Sequence, residues 1–163
     1  METRLDAANR LAEEGRMEEA LGVLRAALGE CPDHAAANFA YARLLDGLGR
    51  EREAIPHYEH SISCGLPREE LQEATVNLGS SYRAVGEPER AVEVLWGGLM
   101  QFPENRAVRV FLAMALHDLG EYGEATGILL RELAESSSDQ WVAYYGRAIA
   151  YYAKEFSGKS GSG

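Results

Sequence analysis

The sequence is poor in positive charge and has no long apolar segment. Its 163 residues hold 16 Lys and Arg against 26 Asp and Glu, which gives a net charge of −10. Because such a chain repels polyphosphates and anionic lipid surfaces, the composition argues against nucleic acid and membranes as partners. No apolar run approaches the roughly 18 residues of a membrane span, and the charged N-terminus has no apolar signal core. We therefore predict a cytoplasmic protein.

Cysteine is also scarce, because Cys31 and Cys64 stand alone without a CxxC pair. An intracellular chain keeps such thiols reduced, which excludes a fold built on disulfides. A hydrophobic content of 46% is nevertheless enough for a packed core within one domain.

The chain repeats itself when it is shifted by about 34 residues, with steps of 34, 37 and 34. Glycines align at Gly15, Gly49, Gly86 and Gly120. Each is followed five residues later by an alanine: Ala20, Ala54, Ala91 and Ala125. Large residues follow four positions further on, at Leu24, Tyr58, Leu95 and Leu129. Since the apolar spacing within each unit is helical, each unit is predicted to be a helix pair whose glycine ends the first helix.

The third unit carries the pattern most fully, through Leu78, Gly79, Tyr82, Ala91, Leu95 and Pro103. This pattern resembles the tetratricopeptide repeat, or TPR, and the chain is also similar to a small group of bacterial TPR proteins. The second unit departs from it by three extra residues in SISCGLPREEL, and in the fourth unit Glu132 replaces a small residue.

The resemblance implies an all-α fold, a right-handed α-solenoid of four TPR helix pairs plus a C-terminal capping helix. We place one domain at residues 1–156, with repeats at about 1–34, 35–71, 72–105 and 106–139 and the capping helix at about 140–156. Residues 157–163 are rich in Gly and Ser, which predicts a flexible tail.

The predicted capping helix has aromatic residues on two sides. Trp141, Tyr145 and Tyr152 lie on one side, whereas Tyr144 and Tyr151 lie on another. Two interpretations stay open: the aromatic residues cover the fourth repeat, or the outer side forms a homodimer contact.

Two motifs invite a catalytic interpretation, and neither has the required context. Gly79-Ser80-Ser81 lies within a predicted helix, whereas a nucleophile elbow or a P-loop follows a strand. Gly158-Lys159-Ser160 lacks the upstream glycine of a P-loop. We therefore predict a protein that is not an enzyme and needs no cofactor.

Three possible metal ligands, His57, His60 and Cys64, lie near one face of a predicted helix. Zinc takes four ligands, usually from two segments, and no paired cluster is evident nearby in the sequence. The sequence therefore predicts a solvated helix face without a metal.

The resemblance implies that the first helices of the repeats line a concave groove that binds a protein or peptide segment. Helical phase selects the side chains that face this groove: Asn9, Phe39, Arg43, Asn77, Ser80, Arg83, Phe111, Met114 and Arg147. Arginines among apolar residues suit a partner with acidic and apolar side chains. The lysines of the two-carboxylate clamp found in some TPR domains are replaced by Leu5 and Glu73, so that specificity is not expected here.

Overall fold

The computed structural model describes residues 1–158, which form ten helices and no strand. By packing they divide into two compact units, Met1–Val85 and a second that starts at Gly86. The first unit holds α1 (Glu2–Glu13), α2 (Met17–Glu30), α3 (Ala35–Gly47), α4 (Glu51–Cys64) and α5 (Arg68–Ala84). The second holds α6 (Pro88–Gln101), α7 (Arg106–Asp118), α8 (Tyr122–Ser136), α9 (Gln140–Tyr144) and α10 (Gly146–Ser157).

The all-α class predicted from the repeat is confirmed, and helices that are near in sequence pack against each other within each unit. In the first unit α1 packs on α2, α2 on α3, α3 on α4 and α4 on α5. In the second unit α6 packs on α7, α7 on α8 and α8 on α10. Residues 159–163, which include most of the predicted tail and part of the Gly-Lys-Ser match, lie outside the described residues.

None of the helices within residues 1–158 is long and apolar enough to span a membrane.

The repeat glycines end the first helices in the same way. Gly15, Gly49, Gly86 and Gly120 all have a positive φ, between 71° and 90°. After three of them the next backbone N–H bonds the carbonyl five residues back: Arg16 to Leu11 (2.8 Å), Arg50 to Leu45 (2.9 Å) and Glu121 to Leu116 (2.9 Å). This is the Schellman motif, which satisfies the last carbonyls of the helix and reverses the chain. The predicted turns are therefore confirmed.

Small residues bring the paired helices close together. The aligned alanines of both units are buried, namely Ala8, Ala20, Ala42, Ala54, Ala91, Ala113 and Ala125. Leu24, Tyr58 and Leu95 are fully buried beside them, as the alignment predicts. The fourth repeat differs, because Leu129 is 43% exposed.

The two arginines beside Glu132 explain how a carboxylate can replace a small residue in the fourth repeat. Its side chain is nearly buried between α7 and α8, where Oε2 accepts from Arg106 (3.0 Å) and Oε1 from Arg109 (3.0 Å). A charge in such a place is tolerated because two guanidinium groups neutralise it and satisfy its oxygens.

The C-terminal segment departs from the predicted single helix. A turn at Tyr145 separates α9 from α10, and α10 extends one residue beyond the predicted end, to Ser157. Contact with α8 is made through small groups: Ala153 is fully buried, and a Cβ added at Gly127 would lie 2.7 Å from the Ala153 carbonyl oxygen. The five aromatic side chains remain more than half exposed, so most of their surface does not cover the fourth repeat, whereas α10 itself packs on α8.

Candidate functional site

The first helices of the first unit lie side by side, since α1 contacts α3 and α3 contacts α5. A cleft of about 190 Å³ opens between α1 and α3, near the turn from α1 to α2. Five of its lining residues are small or apolar, namely Ala12, Met17, Ala40, Leu44 and Gly47. The two polar side chains in the lining are Asn9 and Arg43. Asn9 and Arg43 are both residues that helical phase assigns to the groove. The structure therefore brings two of the predicted site residues, from two different repeats, into one cleft.

Arg43 is held over an aromatic ring and beside a carboxylate. Its guanidinium carbon lies 5.7 Å from the ring centre of Phe39 and its Nε lies 3.3 Å from Glu73 Oε1. Phe39 itself is only 5% exposed and packs against Tyr58, with ring centroids 6.2 Å apart. Phe39 thus presents little surface and instead supports Arg43, whose side chain stays half exposed.

A polar network beside this cleft connects three helices. Asp46 of α3 accepts a hydrogen bond from Ser81 of α5 (3.1 Å) and one from the Tyr58 hydroxyl of α4 (3.4 Å). Burial raises the pKa of Asp46 above its ordinary value of 3.8, against the effect of the Ser81 bond. Burial and the nearby Asp46 charge raise the pKa of Tyr58 as well. Asn77 of α5 has the opposite effect on Tyr58 and lowers its pKa.

The network changes the interpretation of one sequence feature. Ser81, from the Gly79-Ser80-Ser81 stretch, is buried and serves the packing of α5. Asn77, predicted to bond a partner's backbone, is partly exposed on α5, and this role stays a prediction. Ser80 and Arg83 are partly exposed on the same helix.

The second unit carries the other predicted groove residues. Met114 of α7 is exposed and Phe111 of the same helix is partly exposed. Arg147 is exposed on α10, which packs on α8. The assignment of these three residues to a binding surface stays a prediction.

The structure also brings together a group of donors that the sequence did not reveal. Asp33, in the turn between α2 and α3, lies beside His60 and Cys64 of α4, and their donor atoms are all within 4.8 Å of one another. His57 lies elsewhere, with its Nδ1 2.8 Å from Asn38 Oδ1. A single residue of a second segment, Asp33, thus joins two of the three candidate ligands. Asp33 is 27 residues from His60, and helical periodicity relates only residues within one helix.

Exposed aromatic side chains cluster on α9 and α10. Trp141, Tyr144, Tyr145, Tyr151 and Tyr152 are each more than half exposed, and Tyr144 reaches 74%. Neighbouring rings meet edge to face, for example Tyr144 and Tyr145 with centroids 4.9 Å apart. Large aromatic residues are normally among the well-buried side chains, so the exposure of these five is unusual for a protein surface.

The fold resembles solved structures of repeat proteins. YrrB, described as a TPR protein with an unusual peptide-binding site, matches with a TM-score of 0.71 at 20% identity, over 94% of this chain and 77% of that one. A putative kinesin light chain of Podosopora anserina with TPR-like repeats matches with a TM-score of 0.69 at 20% identity, over 97% and 87%. A double mutant of MamA matches with a TM-score of 0.65 at 13% identity, over 94% of each chain.

Sequence comparison gives the same result at the level of the family. Comparison with curated proteins gave no match. The profile of the family described as "Tetratrico peptide repeat" matches residues 35–156, and a second profile, "Tetratricopeptide repeat", matches residues 1–44. Together with the repeated helix pairs and their glycine turns, these matches show that the chain belongs to the tetratricopeptide repeat family.

Proposed function

We propose that this protein is a non-enzymatic interaction module whose first unit binds a protein or peptide segment with acidic and apolar side chains. The observation that carries the proposal is the cleft of about 190 Å³ in which Asn9 and Arg43 flank an apolar lining. Peptide recognition needs this combination, because apolar contacts supply affinity while a few polar groups fix the position of the chain.

The Arg43–Glu73 pair supports the choice of an acidic partner. Both side chains are about half exposed, at 56% and 47%. Exposed ion pairs contribute only about 0–1 kcal/mol, so a carboxylate of a partner can replace Glu73 at little cost. A chain of net charge −10 repels acidic peptides over most of its surface. An arginine in a cleft is therefore the position where electrostatic attraction for such a peptide is strongest.

The comparisons support peptide binding in general terms. TPR proteins are known as interaction modules, and YrrB, which shares the fold, is described as having a peptide-binding site. We propose that Ser80 and Arg83 of α5 extend the surface that starts at the cleft.

Charge reversal tests the proposal. An array of peptides that varies Asp and Glu content against Leu and Phe content is screened by fluorescence polarisation, and the strongest binder is measured with each variant. We expect Arg43→Glu, combined with Arg83→Glu, to weaken binding at least about tenfold because it replaces attraction by repulsion. Helix content and melting temperature should stay unchanged.

The matched control is Arg90→Glu on α6. Arg90 is 53% exposed and pairs with Glu87 at 3.2 Å, which resembles the exposure and pairing of Arg43. Equal binding by the Arg43, Arg83 variant and by wild type would refute the proposed site. Arg43→Glu alone changes the net charge by the same two units as Arg90→Glu, so equal losses in these two single variants would show that only the overall charge matters.

A second candidate function is self-association through the C-terminal helices, so that the protein joins copies of itself. The observation that favours it is the group of aromatic side chains exposed on α9 and α10. Tyrosine and tryptophan are enriched at protein interfaces because they bury a large area and keep a polar group in contact with water.

A further inference from the structure

We propose that Asp33, His60 and Cys64 form a binding site for a divalent transition metal of the zinc class. His60 Nε2 lies 2.9 Å from Asp33 Oδ1 and 3.5 Å from Cys64 Sγ. The three donors are therefore a carboxylate, an imidazole and a thiol, drawn from two segments of the first unit. Such a site goes beyond the peptide-binding function and does not depend on it.

The geometry favours a metal over a catalytic relay. In a Cys-His-Asp relay the carboxylate contacts one ring nitrogen and the thiol contacts the other, so that a proton can pass across the ring. Here both contacts converge on Nε2 of His60. The three donor atoms lie within 4.8 Å of one another, which is close enough for them to share one cation.

The distances fit tetrahedral zinc with a small adjustment. Bonds of about 2.0–2.1 Å to nitrogen and 2.3 Å to sulfur place those two atoms about 3.5 Å apart in a tetrahedron. His60 Nε2 and Cys64 Sγ already have this separation of 3.5 Å. In the same tetrahedron the nitrogen and the carboxylate oxygen are about 3.4 Å apart. Asp33 can supply the extra half ångström by rotation, since its side chain is 84% exposed.

The protein holds both segments in place. His60 and Cys64 are four residues apart on α4, a spacing that puts them on one face. The turn that carries Asp33 is fixed by Asn38, whose Nδ2 donates to the Pro32 carbonyl at 2.7 Å and whose Oδ1 contacts His57 Nδ1 at 2.8 Å. His57 thus attaches the turn to α4 and prepares the site without being a ligand.

The neighbouring surface has room for solvent around an ion. A depression of about 400 Å³, lined in part by Pro32, His57 and His60, opens beside the cluster. Three protein ligands and one water complete a tetrahedron, and the open position is typical of zinc sites that exchange a ligand.

Ligand chemistry decides the class of metal. Mg²⁺ and Ca²⁺ prefer oxygen ligands, whereas a thiolate and an imidazole together favour Zn²⁺ and similar late first-row ions. On binding, His60 gives up its hydrogen bond to Asp33 and presents the Nε2 lone pair to the ion, with the ring proton on Nδ1. The Cys64 thiol releases its proton to solvent and the sulfur lone pair bonds the ion. The thiolate and the carboxylate then neutralise the two charges of the metal.

Titration of the reduced full-length protein with Co²⁺ and Zn²⁺ tests the site. We expect Co²⁺ to give a thiolate-to-cobalt charge-transfer band that Zn²⁺ removes and a large excess of Mg²⁺ does not. Cys64→Ser should abolish the band. His60→Ala and Asp33→Asn should each weaken Zn²⁺ binding roughly tenfold or more in calorimetry.

Cys31→Ser is the matched control, since Cys31 is the other cysteine, is exposed and lies two residues before Asp33. It should retain the band and the affinity for Zn²⁺. Asp33→Asn changes an exposed turn residue, so it tests the site even if a substitution on α4 disturbs folding. The absence of a charge-transfer band in wild type, or its retention in Cys64→Ser, would overturn the assignment. So would displacement of Co²⁺ by an equal concentration of Mg²⁺.

Discussion

At the scale of single residues, the turn glycines and the helix glycines have different roles. Gly49 has a φ of +71°, whereas Gly47, two residues earlier, lies within α3 and has an ordinary negative-φ helical backbone. A Cβ added at either position meets no atom within 4 Å. Because an added Cβ is not crowded at either position, a comparison of the two glycines isolates the effect of backbone conformation on stability.

Alanine at these two positions should have opposite effects on stability. Gly49→Ala forces a left-handed conformation on an L-residue and should lower the free energy of unfolding by about 1–2 kcal/mol. Gly47→Ala should raise it by about 0.4–1 kcal/mol, because it reduces the freedom of the unfolded chain. Urea denaturation of both variants measures the difference. An equal change in both would contradict the role assigned to the turn.

At the scale of helices, the Asp46 network connects α3, α4 and α5 through a carboxylate that is costly to ionise. Because burial raises its pKa in the folded protein, Asp46 holds its proton more tightly when folded than when unfolded. Below pH 3.8, the ordinary pKa of this carboxyl, Asp46 is protonated in both the folded and the unfolded state. As pH rises, the unfolded chain loses the proton first, so the contribution of Asp46 to stability decreases until pH passes the raised value.

We therefore expect wild type to lose stability relative to Asp46→Asn as pH rises from below 3.8 to neutral. Asparagine cannot ionise and still bonds Ser81 or Tyr58. Ser81→Ala should make the wild-type trend steeper, because it removes the bond that favours the ionised carboxylate. Denaturation curves across this pH range give the difference in free energy of unfolding. A difference that does not vary with pH would show that Asp46 titrates alike in both states.

At the scale of the whole molecule, the net charge opposes self-association, whereas the exposed aromatic side chains of the C-terminal segment favour it. A charge of −10 keeps copies apart, whereas the exposed rings of α9 and α10 favour contact between them. Because salt screens charge and leaves apolar contact intact, self-association should increase with ionic strength.

Substitution of Trp141, Tyr144 and Tyr151 by Ser should remove this tendency, as measured by analytical ultracentrifugation in low and high salt. Met100→Ser on α6 is the control, since Met100 is 73% exposed and lies outside the aromatic group. A wild-type protein that stays monomeric at high concentration and high salt would exclude self-association through these exposed aromatic side chains.

The sequence by itself determined the class of fold and its period. Glycine turns and aligned alanines recur every 34 or 37 residues, and each is a local signal, because a left-handed turn or a close helix contact requires a particular residue type. Helical phase likewise predicts that Asn9 and Arg43 share a surface, and both line one cleft.

Only the tertiary structure decided which residues from distant segments meet. Asp33 reaches His60 across 27 residues, Ser81 reaches Asp46 across 35, and Glu132 reaches Arg109 across 23. Helical phase tells which side of a helix a residue occupies, but not what lies opposite or whether a covering helix makes contact through alanine or through tyrosine. For this reason Phe39 proved buried and the aromatic residues of α9 and α10 proved exposed.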